Sequence, residues 1–237
     1  MSKNTFKIEL IFYPFLLILL LWIVYWGEFY MPFDLIQLGI LPRTFSGLIG
    51  VIFSPLLHST NDINHIVNNS IPLFILTLTL LYYYRKVAFN VFFLSWILSG
   101  ILTWVLAKNT GSYHIGISSI LYSLVCFLFF SGVIQRKKQL QAVSLLIVFL
   151  YGSMFWGIFP MEEKVSWEGH LGGSIAGIFL ALIYNDAPEV TTLKSSQKQN
   201  LSSSESVQKS LENLKESYKV NSSSAINYSY TTDQAKD

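Results

Sequence analysis

Residues 109–135 read NTGSYHIGISSILYSLVCFLFFSGVIQ and contain no Asp, Glu, Lys or Arg. A helix rising 1.5 Å per residue crosses about 30 Å of hydrocarbon in roughly 20 apolar residues. This run is longer than one crossing needs, and it opens on Asn109-Thr110-Gly111-Ser112, which are turn formers. The chain is expected to re-enter as a loop here and to start its helix near Ser118.

Similar uncharged runs lie on either side, at Leu10 to Trp26, Ile63 to Tyr84, Val87 to Ala107 and Gln139 to Met161. Val165 to Tyr184 adds a sixth, carrying one acid, Glu168, and one histidine, His170. Residues 1–185 are therefore expected to form an all-α, polytopic membrane domain of six transmembrane helices, the first of them the shortest. A secretory signal is the competing reading of the first run. That run ends in Trp26-Gly27-Glu28 with no small-residue cleavage site, so it is read as a retained helix. Between the first two runs, Gly27 to Asp62 carries Pro32, Pro42 and Pro55. It is too broken for a span and too apolar for a solvated linker, which suits an interfacial loop with short amphipathic helices.

Composition agrees. Hydrophobic residues make up 52% and charged residues 13%, about half the charge of a soluble domain (about 25%). A formal charge of +2 excludes the dense basic face of a nucleic-acid binder. A single cysteine, Cys126, excludes an internal disulfide and a Cys-based zinc cluster. From Asp186 to Asp237 Ser, Asn, Gln and Lys dominate. This low-complexity tail is expected to be mostly disordered, because it buries too little apolar surface to offset its ordering entropy. Val207, Leu211, Leu214 and Tyr218 nevertheless recur at helical spacing.

Basic residues set the orientation. Lys3 and Lys7, Arg85-Lys86, Arg136-Lys137-Lys138 and the tail lysines fall on one side. Both termini are therefore expected in the cytoplasm, with spans two, four and six entering from the outer face. The lack of an organellar targeting pattern suggests a bacterial inner membrane.

Ionisable and polar side chains inside spans are costly and point to function. His65 and Asn69 open span two, Ser118 opens span four and His170 opens span six, so all lie at one shallow depth. His65 and Asn69 are four residues apart and share a helix face. Both can donate hydrogen bonds to a negative oxygen. Ser118 follows Gly116 at a helix start, where free N–H groups and positive dipole suit an oxyanion. Gly169, Gly173 and Gly177 make a small-residue face beside His170 that permits close helix approach. If that face meets span four, His170 Nε2 can reach Ser118 Oγ and act as its base. Each residue also has a plain structural role open to it: a capping serine, a bundle hydrogen bond for His170, helix–helix contacts for His65 and Asn69. His58, His65, His114 and His170 could suggest zinc, but there is no H-E-x-x-H pair and no carboxylate at ligand spacing. No metal and no cofactor are expected, and His114 reads as an ordinary loop histidine.

Three motifs together resemble the rhomboid family of intramembrane serine proteases: His65-x-x-x-Asn69, Gly116-x-Ser118 with Tyr122, and His170-Leu171-Gly172-Gly173. Leu41-Pro42-Arg43 is similar to part of the family's first external loop. The resemblance covers roughly residues 8 to 185. It implies a Ser118–His170 dyad without a catalytic acid, in a water-filled cavity open to the outer side. It also implies an oxyanion hole made by His65, Asn69 and the Ser118 backbone N–H, with Tyr122 stacked on the dyad histidine. The substrates implied are transmembrane proteins in the lipid bilayer, cleaved in or beside their helices.

The sequence departs from the family pattern at Ser119, where glycine is usual, and this hydroxymethyl is expected to crowd span six. The His58 to His65 spacing is also longer than the family's. Ser119 is the feature that favours the alternative, an inactive rhomboid-like protein that binds transmembrane helices. A small-solute transporter would show inverted repeats, and the sequence has no internal repeat.

Overall fold

The computed structural model describes residues 9–30, 34–108, 110–161, 166–185 and 203–217. The chain divides into two compact units, Met1–Val190 and Thr191–Asp237. In the second, residues 203–217 are helical and exposed throughout. This is the stretch with the Val207, Leu211, Leu214 spacing, and the rest of the expected disordered tail, Tyr218 included, lies outside the described residues.

The first unit is helical. Helix α1 (Glu9–Tyr30) leads into a loop built from the 3-10 helices Leu35–Leu38, Ser46–Ile49 and Ser54–Leu56 around a short α2 (Gly50–Phe53). Then follow α3 (Ile63–Tyr83), α4 (Ala88–Leu106), α5 (Ser118–Gln135), α6 (Lys138–Tyr151) continued by the 3-10 helix Gly152–Ile158, and α7 (Trp167–Ile183). Among the described residues five helices are long and apolar enough to cross a bilayer: Leu10–Tyr30, Ile63–Tyr83, Ala88–Leu106, Ser118–Gln135 and Lys138–Ile158. Helix α7, with 17 residues, is shorter.

The first helix is not the shortest, as its uncharged run implied. It has 22 residues, because glutamate is a good helix former and Glu28 lets the helix continue to Tyr30. Of the Gly27–Asp62 region, Gly27–Tyr30 extend α1, and Asp34–Asp62 are broken into short helices as expected. This broken stretch is fastened to α4 by two indoles, Trp96 Nε1 donating to Ile52 O at 3.0 Å and Trp104 Nε1 to Thr44 O at 2.9 Å.

Helix α5 is the axis of the bundle and packs most extensively on α7. Ile120, Leu121, Leu124, Phe127 and Leu128 on it are fully buried. Lipid is as apolar as leucine, so close fit and polar contacts hold membrane helices together. The glycine face supplies the fit. A Cβ at Gly173 would fall on the Ser119 carbonyl, and one at Gly177 on the Ser123 carbonyl. Ser123 Oγ donates to Ser95 Oγ of α4 at 2.8 Å. Large apolar side chains such as Phe93 (64%), Leu145 (72%) and Phe149 (83%) remain exposed on the outside, a surface that hydrocarbon covers and water would not tolerate.

Candidate active site

The loop between α4 and α5 positions Ser118. It is pinned by an antiparallel bridge in which Ile40 N donates to His114 O and His114 N to Ile40 O, both at 2.9 Å. Gly116 N donates to Ser54 O at 2.9 Å. Gly116 has φ of 105°, a conformation that favours glycine. A Cβ there would also lie 2.9 Å from His65 Nε2 and 4.0 Å from Asn69 Nδ2. The backbone two residues before Ser118 thus lies directly against the His65–Asn69 face. Ile117 caps α5 and Ser118 is its first residue. The serine side chain therefore does not serve as the cap.

Instead Ser118 Oγ lies 2.9 Å from His170 Nε2. His170 is buried in α7, brought there by the close α5–α7 packing. Its other nitrogen, Nδ1, lies 2.9 Å from Gly157 O. The Tyr122 ring stacks on the imidazole with centroids 4.1 Å apart and planes at 10°. Tyr122 hydroxyl donates to Met154 O at 2.8 Å. A hydroxyl, an imidazole and a stacked phenol are thus gathered from α5 and α7. No group of three or more His, Cys, Asp or Glu able to hold a metal occurs among the described residues.

Two histidines do more than the sequence suggested. His58 is buried (1% exposed), and its Nε2 accepts from Asn69 Nδ2 at 3.1 Å. One amide hydrogen of Asn69 is used in this bond, leaving the second for another acceptor. Burial, reinforced by the His65 ring 5.0 Å away, pushes the His58 imidazole down to about 3, against a weaker opposing pull from the Leu56 backbone. An unfolded chain takes up this proton near the ordinary value of 6.5, so stability is complete above that pH. It falls as pH drops from 6.5 towards 3. The melting temperature in detergent is expected to decline from pH 7 to pH 4. His58→Gln, which cannot titrate, should melt lower at pH 7 and lose less on acidification.

His114 is not a bland loop residue. Its Nδ1 lies 2.6 Å from Ser166 Oγ, at the start of α7. Its Nε2 is buried without a hydrogen-bond partner. It lines a small open cavity with Ser54, Thr103, Ser118, Ser119 and Ser166. Burial lowers the His114 pKa, and Glu168 works the other way. Only the fold could reveal this role, since Ser166 is 52 residues distant.

Ser119 does not crowd α7. Its Oγ accepts from Ser99 Oγ of α4 at 3.4 Å, so the side chain turns towards α4, and it is the Ser119 backbone that meets Gly173. At that length the bond is weak. Ser119→Gly is expected to change the stability of the bundle by no more than about 0.6 kcal/mol, the average for one interhelical hydrogen bond, read as a melting temperature in detergent close to wild type.

Residues 46–186 match the family model for the Rhomboid domain. The chain belongs to the rhomboid family, and with its apolar helices it is an integral membrane protein. It is similar to uncharacterized proteins of Mycobacterium tuberculosis and Mycobacterium bovis, each 37% identical over 161 residues covering 64% of this chain. An uncharacterized protein of Mycobacterium leprae is 31% identical over 152 residues, 61% of this chain. The match spans 65% of the length of the first two relatives and 59% of the third.

Proposed function

We propose that this chain is an intramembrane serine endopeptidase that cleaves membrane proteins in or beside their transmembrane segments. The observation that carries the reading is the 2.9 Å contact between Ser118 Oγ and His170 Nε2, with Tyr122 stacked on the imidazole. Serine is a weak nucleophile until a base takes its proton. His170 Nε2 accepts that proton as Ser118 Oγ attacks the peptide carbonyl. The tetrahedral oxyanion is stabilised by the Ser118 N–H at the start of α5, by His65 and by the free amide hydrogen of Asn69. His170 then protonates the leaving amine, and the C–N bond breaks. Water attacks the acyl-serine with His170 again as base, releasing the second product and restoring Ser118. Stacking on Tyr122 fixes the ring without a buried carboxylate, which at bilayer depth would be costly. No metal or cofactor enters these steps.

In this reading α7 is the sixth span. Both termini face the cytoplasm of a bacterial inner membrane, and the dyad opens towards the outer leaflet. Substrate helices must unwind before a scissile bond can reach Ser118, so locally unstable helices are preferred. The alternative of an inactive helix-binding protein leaned on Ser119. That side chain turns to Ser99 and leaves the dyad distance intact, which favours the protease.

The direct test is the purified protein in liposomes with single-span substrates carrying a helix-breaking residue near the outer interface. Cleavage at defined bonds supports the reading. A folded protein that cleaves none of them sinks it. Asn69→Ala is expected to lower kcat by up to roughly 10²–10³-fold with KM little changed, the range for loss of one oxyanion donor. An unchanged kcat would remove Asn69 from the oxyanion hole.

A further inference from the structure

The dyad uses only one nitrogen of His170, and a histidine base works only if that nitrogen carries no hydrogen. Two neutral tautomers exist, and the partner of the second nitrogen chooses between them. Nδ1 lies 2.9 Å from the Gly157 carbonyl oxygen. A carbonyl only accepts, so Nδ1 holds the ring hydrogen and donates it. Nε2 then presents its lone pair to the Ser118 hydroxyl. In the other tautomer a lone pair would face the Gly157 oxygen, and Ser118 would meet an N–H that cannot take its proton.

The segment that provides this carbonyl also holds the ring stacked on His170. Tyr122 hydroxyl donates to Met154 O at 2.8 Å. Met154 and Gly157 are three residues apart in the 3-10 helix Gly152–Ile158. With three residues per turn, positions i and i+3 eclipse each other. The change from α to 3-10 winding at Gly152 therefore sets the two carbonyls one above the other. An α-helix would turn them about 60° apart, from its 3.6 residues per turn.

The residue at 157 has to be glycine for this to work. A Cβ there would fall on the Tyr122 hydroxyl and lie 3.3 Å from His170 Nδ1. Gly152, in the same segment, is under no such constraint, since a Cβ would meet only a Val148 methyl at 3.8 Å.

We propose that the Met154–Gly157 turn is the positioning element of the dyad, with the Gly157 carbonyl doing what a carboxylate does in a Ser-His-Asp triad. It selects the tautomer and receives the Nδ1 hydrogen bond when the ring becomes charged, without placing a second charge in the bilayer. The effect on turnover rests on the dyad reading above; the effect on the ring does not.

The test is nitrogen NMR of the full-length protein, ¹⁵N-labelled at histidine and held in bilayers, with the His170 signals assigned by their loss in His170→Gln. Above its titration wild-type His170 is expected as the Nδ1–H tautomer, with Nε2 bare. An Nε2–H ring, or an even mixture, overturns the proposal. This arm needs neither activity nor a variant at 157, so a protein that cleaves nothing but shows the Nδ1–H ring supports the positioning role while telling against the protease. Gly157→Ala should mix the tautomers and lower kcat by at least about tenfold, part of the roughly 10²–10⁴ that a general base contributes. Gly157→Ala combined with Tyr122→Phe removes the hydroxyl that the new methyl would meet and should recover part of the loss. A folded Gly157→Ala with wild-type tautomer and turnover also overturns the proposal.

Discussion

His170→Ala is expected to reduce cleavage of a transmembrane substrate to background while the bundle stays folded. The imidazole is the base nearest Ser118 Oγ, at 2.9 Å, and no other described hydrogen bond is made by that hydroxyl. General-base catalysis contributes roughly 10²–10⁴ in rate, and in a dyad its loss also strands the nucleophile as an unactivated alcohol. The fold should survive, because the closest α5–α7 approach is made by Gly173 and Gly177 on the α5 backbone, which this substitution leaves intact. Product formation by mass spectrometry, beside the melting temperature of the same sample, measures both halves. Turnover within tenfold of wild type would remove His170 from the chemistry.

Gly173→Val is the second large effect, and it acts on the bundle. A Cβ at this position falls on the Ser119 carbonyl, a rigid group in the first turn of α5, so the helices must separate. Separation moves the two reacting groups apart, since Ser118 adjoins Ser119 and His170 lies one turn before Gly173 on α7. A misplacement of about 1 Å is enough to cost about 10²-fold in rate. Cleavage should be lost together with a large fall in melting temperature. Gly172→Ala is the milder companion, because its Cβ meets Leu102 Cβ at 3.1 Å and Thr103 N at 3.2 Å. A Gly173→Val protein with wild-type stability would contradict the packing described here.

The helices were legible because hydrocarbon imposes a length and a polarity on every crossing, and each uncharged run contains a helix. The position of Ser118 at a helix start followed from the turn formers at 109–112 and the glycine at 116. The grouping of Ser118 with His170 was legible from the glycine spacing, which requires a partner at close range, and from the common depth of the polar residues. Other parts left no such trace. The Gly157 and Met154 carbonyls belong to every residue's backbone, so no side-chain pattern marks them. The direction of Ser119 depends on how α5 is rotated against α4, which a near-uniform apolar helix does not specify. His58 and His114 looked idle because their partners, Asn69 and Ser166, are set by tertiary contacts.

Reaction of the wild-type protein with a fluorophosphonate, followed by peptide mapping, is the most direct measure of whether Ser118 and His170 work as nucleophile and base. The probe phosphonylates only a serine whose proton has somewhere to go. Label is expected on Ser118, absent in Ser118→Ala and strongly reduced in His170→Ala. A folded wild type that takes up no label, or a label that persists in Ser118→Ala, would contradict it.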